Sequence, residues 1–222
     1  FQLTFDKALS ELSAQDYIQD ILVEGLGIAC FIVGNDFRFG HKRKGNFSLL
    51  QAKGREFGFE VLETASYERN GQRISSTFIR EQLAEANFEL VEQLLGRPYS
   101  IEGEVVRGQR LGTDLGFPTC NINPQRRRIP LHGVFACEVR LGDRYRQAAV
   151  NIGYRPTVTD DGNALLEAHI LDFDEDLYGK TIAVIFRQKI REELKFDGLD
   201  ALKQQIGADV ARVREVLSAP SI

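Results

Sequence analysis

Apolar positions along this chain follow two regimes that meet near residues 96–99. In the first, stripes of helical period alternate with short apolar runs. Ser13 with Asp16 opens a helix whose stripe is Ile18, Ile21, Leu22 and Leu26, and Gly27 stops it. Residues 28–33 read as a buried strand and residues 34–45 as a glycine-bounded loop. Asn46 caps a helix running to about Phe57, and residues 59–64 form another strand. Asn70-Gly71 between Tyr67 and Ile74 signals a hairpin. Ser75 or Ser76 starts a helix through Ile79 and Leu83. Asn87 starts one more, with Phe88, Val91, Leu94 and Leu95 on one side, and Gly96 and Pro98 end it. Helix and strand in alternation imply an α/β layer with a parallel sheet.

After Pro98 the period changes. Apolar segments at residues 99–106, 133–141, 145–152, 165–173 and 182–190 are short, and Gly142-Asp143 makes a turn between two of them. Many short strands with glycine turns imply an antiparallel barrel or sandwich. A helical stripe returns after Asp197 with Leu199, Leu202, Ile206, Val210, Val213 and Leu217, as expected for a helix packed on the barrel. No internal repeat interrupts either part.

Charge narrows the function classes. The formal charge is −3 in residues 1–98 and −1 in the remainder, so neither part carries the basic footprint of a nucleic-acid binder. The basic clusters at residues 41–44 and 126–128 are too small to change that, and the second reads as a solvated loop. No apolar run approaches a membrane span. Cys30, Cys120 and Cys137 form no CxxC and no metal-like spacing, which fits reduced thiols in a cytoplasmic protein. The chain begins with Phe, holds no Met and shows no signal peptide, which reads as a fragment.

The densest chemical signal is the run from Gly103 to Asn121, GEVVRGQRLGTDLGFPTCN. Glycines at 103, 108, 112 and 116 imply sharp turns or a close approach of backbone to a ligand. Thr119 and Asn121 are two residues apart, and on an extended segment such residues point to one side. A phosphate-cradling loop followed by two neutral oxygen ligands suits Mg-nucleotide chemistry. The run is not a P-loop: after Gly103 and Gly108, Gln109 and Arg110 stand where Lys and Ser/Thr are required. Spacing alone also fits a glycine-rich strand connection that binds nothing.

The pattern GxVxxGxxxGxxxGFPTxN resembles the signature of the riboflavin kinase family. The likeness runs from about Leu95 onward through His132-Gly133-Val134-Phe135, Asn151-Ile152-Gly153, Arg155-Pro156-Thr157, Leu166-Glu167-Ala168-His169, Asp176-Leu177-Tyr178-Gly179 and Arg191 to Phe196. Cys120 stands where that family commonly has alanine. Residues 34–40 and 74–80 resemble the adenylyltransferase module of the bacterial bifunctional riboflavin kinase/FAD synthetase family. The resemblance implies a partial Rossmann-like α/β nucleotidyltransferase domain, residues 1–97. A mainly antiparallel β-barrel kinase domain with a C-terminal helix follows, residues 98–222.

It also implies chemistry: ATP-dependent phosphorylation of riboflavin to FMN in the cytoplasm, with Mg²⁺ accompanying ATP. Gly108, Gly112 and Gly116 would cradle ATP, Thr119 and Asn121 would hold the metal, and Glu167 would be the catalytic base. Glu167 with His169 and Leu171 could instead line a solvent face, and His169 reads as structural. Arg191, Glu193 and Phe196 would meet the flavin, or simply begin the C-terminal helical region. In the first part Asp36 would lie at a flavin pocket. Ser76, Thr77 and Arg80 would meet nucleotide phosphates at a helix N-terminus; an ordinary Ser cap beside a solvent-facing Arg fits the same spacing. The adenylyltransferase HxGH motif does not occur, since the three histidines are at 41, 132 and 169. FAD is therefore not expected as a product of this chain, although the intact protein would make it. The alternative is a non-catalytic flavin-binding or regulatory β-barrel, which would lose the metal pair or the base. Riboflavin and ATP are the expected partners, with no nucleic acid and no membrane, and the oligomeric state is left open.

Overall fold

The computed structural model describes residues 2–34, 36–64, 67–69, 71–108, 112, 115–124, 129–154 and 164–218. Asn70, Gln109, Arg110, residues 126–128 and Arg155-Pro156-Thr157 lie outside the described residues. The chain divides into two compact units, residues 1–74 and 75–222.

The first unit begins with α1 (Lys7–Glu11) and α2 (Ala14–Asp16), which continues as a π-helical segment, Tyr17–Gly25. Ser13 caps α2 by accepting from the Asp16 amide. Strand β1 (Cys30–Gly34) pairs in parallel with β2 (Glu60–Thr64) across α3 (Phe47–Phe57). Asn46 Oδ1 accepts from the Leu49 amide at 2.9 Å, the N-cap expected for α3. Strands β3 (Glu68–Arg69) and β4 (Gln72–Arg73) form a small antiparallel hairpin in which Gly71 takes φ 76°, the conformation its turn demands. The core is Ile18, Leu22, Leu50 and Phe59, with Phe39 stacked on Phe37.

The second unit opens with α4 (Ser76–Ala84), capped by Ser75, and α5 (Phe88–Leu95). It continues as six strands: β5 (Ser100–Val106), β6 (Cys120–Asn123), β7 (Gly133–Leu141), β8 (Arg144–Tyr154), β9 (Ala164–Ile170) and β10 (Thr181–Arg191). They close into an antiparallel barrel in the order β10-β5-β6-β9-β8-β7. The compact units therefore meet at 74/75, upstream of the change of period near residue 98, and α4 and α5 group with the barrel. Phe88 of α5 stacks on Phe186 at 5.9 Å, and Leu83 and Val91 join the same core.

Alternation along the strands fills the barrel interior with Ile101, Ile122, Phe135, Ile152, Leu166 and Val184, all essentially inaccessible to solvent. The opposite positions face outward. There α6 (Leu199–Ser218) lies across β7, β8 and β10, with Val210, Val213 and Leu217 against Ala136, Ala149 and Leu171. Ala136 and Ala149 are register partners, so two methyl groups side by side leave room for the helix.

Candidate active site

Outward positions at one level of the barrel form a continuous row. Asn121 on β6 is the register partner of Glu167 on β9, and Glu167 is the partner of Asn151 on β8. Asn151 faces Val134 on β7, and Val134 faces Arg191 on β10. Directly opposed residues of antiparallel strands share a face, with Cβ atoms about 4.5–5.5 Å apart. Arg191 reaches this row because register shifts after Phe186 and Lys189 insert extra residues into β10.

The row from Glu167 to Arg191 floors a cavity of about 310 Å³ between the barrel and α6. Glu167, Asn151, Val134 and Arg191 line it, together with Phe117, Leu194, Phe196 and Ile206. Its walls are thus mostly apolar, with a carboxylate and an amide at the base. Glu167 is half-buried, neither in the barrel core nor on an open solvent face. Thr119 sits on the rim and also lines a second cavity of about 390 Å³ at the barrel mouth, beside Val105, Cys120, Phe173, Leu177 and Tyr178. Burial pushes the Cys120 thiol up to about 11, so it remains neutral around pH 7.

The glycine run resolves into distinct roles. A Cβ on Gly108 would overlap the side-chain amide of Asn121, so only glycine lets the backbone pass over that buried group. A Cβ on Gly112 would overlap the carbonyl of Phe117 and come within 3.2 Å of Thr119. Gly116 instead supplies a turn at φ 84°, with open space around it. Glycines 108 and 112 therefore bring backbone onto Asn121 and Thr119. Oxygens of a hydroxyl and an amide are hard donors suited to Mg²⁺, and Asn121 is only 7% exposed, so these two residues fit such an ion. Among the described residues no three His, Cys, Asp or Glu side chains cluster as a metal set.

His169 lines the same cavity as Glu167 and is tied to the segment before β6. Its Nδ1 donates to the Pro118 carbonyl at 2.8 Å and its ring packs edge-on to Phe117, fixing the FPT segment to β9. Arg191 is more committed than the sequence suggests. Nε lies 2.9 Å from Oδ1 of Asp209 and Nη2 lies 2.7 Å from Oδ2, while Nη1 donates to the Glu192 carbonyl. Phe196 lies under the same guanidinium. Glu193 accepts from Asn151 Nδ2 at 3.4 Å and meets His132 Nε2 at 3.0 Å. Sequence reasoning named Asn151 only as part of the family likeness, with no role in the site, and missed Asp209. The signal for Asn151 was an amide inside the apolar run 148–152.

The riboflavin kinase family profile matches residues 95–217, and the FAD synthetase profile matches residues 1–78. The chain is 48% identical to the bifunctional riboflavin kinase/FMN adenylyltransferase of Pseudomonas fluorescens, over 99% of this chain and 70% of that protein. The chain belongs to this family. The Escherichia coli K12 member is 46% identical over 95% of this chain and 67% of its own length. A crystal structure described as a macrolide-efflux protein from Streptococcus pneumoniae superposes with a TM-score of 0.70 at 31% identity, covering 96% of this chain and 68% of that one. Membership accounts for both halves of the sequence: the α/β part falls within the FAD synthetase match and the barrel within the riboflavin kinase match.

The residues assigned by resemblance to the adenylyltransferase fall in both compact units. Asp36, in the first compact unit, pairs with Arg73 at 2.9 Å. Ser76 and Thr77 occupy the exposed first turn of α4, with Arg80 exposed one turn on. Among the described residues no helix is long and apolar enough to cross a membrane.

Proposed function

We propose that this chain transfers the γ-phosphoryl group of ATP to the terminal hydroxyl of the ribityl chain of riboflavin, giving FMN and ADP. One observation carries the reading: Glu167 stands at the floor of an apolar cavity whose rim, at Thr119, is shared with a second cavity. Phosphoryl transfer rests on bringing two substrates in line and stabilising charge, so two cavities meeting beside one carboxylate suit it.

The aromatic and aliphatic walls of the first cavity suit the isoalloxazine ring, with Phe196 and Phe117 nearest and Arg191 and Glu193 at its edge. The second cavity suits adenine, because Tyr178 and Leu177 are flat or apolar while Asp174 to Asp176 on its rim repel phosphates toward Thr119. Gly108, Gly112 and Gly116 shape the backbone on the phosphate side. Thr119 and Asn121 hold Mg²⁺, which neutralises charge on the phosphates when bound. Glu167 accepts the proton of the attacking hydroxyl.

Residues 98–222 form the kinase domain in this reading, and residues 1–97 belong to the adenylyltransferase part, with Asp36, Ser76, Thr77 and Arg80 at its site. Adenylylation of FMN follows from the same membership for the full-length protein. The HxGH element is absent from this sequence, so FMN is the expected product of this polypeptide in the cytoplasm. Incubation with riboflavin, ATP and Mg²⁺, followed by separation of the flavins, tests this. FMN without FAD supports the assignment. Flavin binding without turnover would instead favour a non-catalytic flavin-binding barrel.

A further inference from the structure

We propose that Asn151 is a specificity-determining residue of the kinase site. Its Oδ1 accepts a hydrogen bond from the acceptor's secondary hydroxyl, on the carbon adjacent to the one phosphorylated. The proposal rests on the kinase reading above.

Three observations converge. Asn151 Oδ1 is buried and has no hydrogen-bond partner among the described residues. Buried polar atoms are almost always satisfied, so an unsatisfied one on a residue that lines the cavity marks a group that a ligand can complete. The amide orientation follows from its neighbour: Nδ2 faces Glu193 Oε1 at 3.4 Å, and an ionised carboxylate only accepts. The atom left over is therefore the carbonyl oxygen, which demands a donor. A flavin ring oxygen or a phosphate oxygen cannot supply one, whereas a ribityl hydroxyl or the ring N3–H can, and position decides between them.

The position selects which hydroxyl. Asn151 is the register partner of Glu167, one strand away on the same face. With Glu167 receiving the proton of the terminal hydroxyl, the next functional group along a ribityl chain comes opposite Asn151. The pair thus reads a 1,2-diol: the carboxylate takes the reacting oxygen and the amide takes its neighbour. An acceptor that carries a simple terminal alcohol leaves Oδ1 unpaired inside an apolar cavity. Sites built to hydrogen-bond a substrate hydroxyl reject analogues that lack it for this reason.

The test compares riboflavin with its 4′-deoxy analogue in the wild-type chain and in Asn151→Leu, reading kcat/KM for each acceptor. The wild type is expected to lose about 10- to 100-fold on the deoxy acceptor. Asn151→Leu is expected to use both acceptors within about threefold of each other. A purely structural role for Asn151 would lower both acceptors together and preserve the wild-type ratio, and that outcome overturns the proposal. If Asn151→Leu does not fold, the 2′-, 3′- and 4′-deoxy acceptors on the wild-type chain decide. A largest penalty at 4′ supports it, and equal or absent penalties overturn it. Failure of the wild-type chain to phosphorylate riboflavin itself would refute the kinase reading instead.

Discussion

Arg191 at the end of β10 grips Asp209 of α6 through both edges of the carboxylate, at 2.9 Å from Nε and 2.7 Å from Nη2. Asp209 is only 4% exposed, and Gln205 adds a further hydrogen bond at 2.9 Å. Arg191 thereby fixes α6 over the cavity and aligns the segment from Glu192 to Phe196. Removing one partner of such a pair leaves a buried charge uncompensated. Asp209→Ala is expected to cost about 3–5 kcal/mol in urea unfolding. The double change Arg191→Met with Asp209→Leu is expected to regain most of it, since a matched apolar pair removes the stranded charge. A double variant no more stable than Asp209→Ala would show that the contact is not a buried-charge effect.

The base role proposed for Glu167 makes a separate prediction. Glu167→Gln retains size and hydrogen bonding but cannot take a proton. Its kcat is expected to fall by at least about a hundredfold, the lower range for general-base catalysis. Riboflavin binding, followed by quenching of flavin fluorescence, is expected to persist, because the cavity walls are unchanged. Near-normal turnover would sink the base role without touching the fold.

Gly108 tests the nucleotide side. A Cβ there overlaps the Asn121 amide, so Gly108→Ala must move either the loop or Asn121. A shift of about 1 Å in a positioning group can cost about a hundredfold in rate. Turnover is therefore expected to drop by at least about tenfold, with riboflavin affinity retained and thermal stability little altered. Gly116→Ala is a useful contrast, since it meets no atoms but needs φ 84°, and its cost should appear mainly in stability.

Much of this was legible from residue patterns because the signals were local. Caps at Ser13, Asn46 and Ser75 depend on a hydroxyl or amide three residues from an amide, and the structure contains all three. Strands β5, β7, β8, β9 and β10 announced themselves as short apolar segments, alternating or continuous. Strand β6 did not: four residues, Cys-Asn-Ile-Asn, between a glycine run and Pro124 carry too little apolar content. The row Asn121–Glu167–Asn151–Val134–Arg191 was illegible for a different reason. It depends on strand order and on the register shifts in β10, which no single segment encodes. The resemblance supplied Glu167 and Asn121 individually. Their adjacency, and the amide beside them, came from closure of the barrel.

Asp172 offers a pH-dependent probe of the helix docking. It follows β9 with φ 53°, and both its oxygens accept from Arg214 of α6, at 2.8 and 2.7 Å. The hydrogen bond from Arg214 holds the Asp172 carboxyl below its ordinary value, with a further contribution from the Arg214 charge. A carboxyl depressed in the folded state stabilises the fold fully above its unfolded value, about 3.9, and loses that effect as pH falls through the lower folded value. Asp172→Asn is therefore expected to melt below the wild type by a constant margin from about pH 5 to 8. The margin is expected to shrink as the pH drops below about 4, and to narrow at neutral pH in high salt, because both partners are exposed. Thermal melts across this range check both trends. A margin that stays constant down to pH 3 would assign the effect to lost packing or backbone strain at residue 172, not to the ion pair.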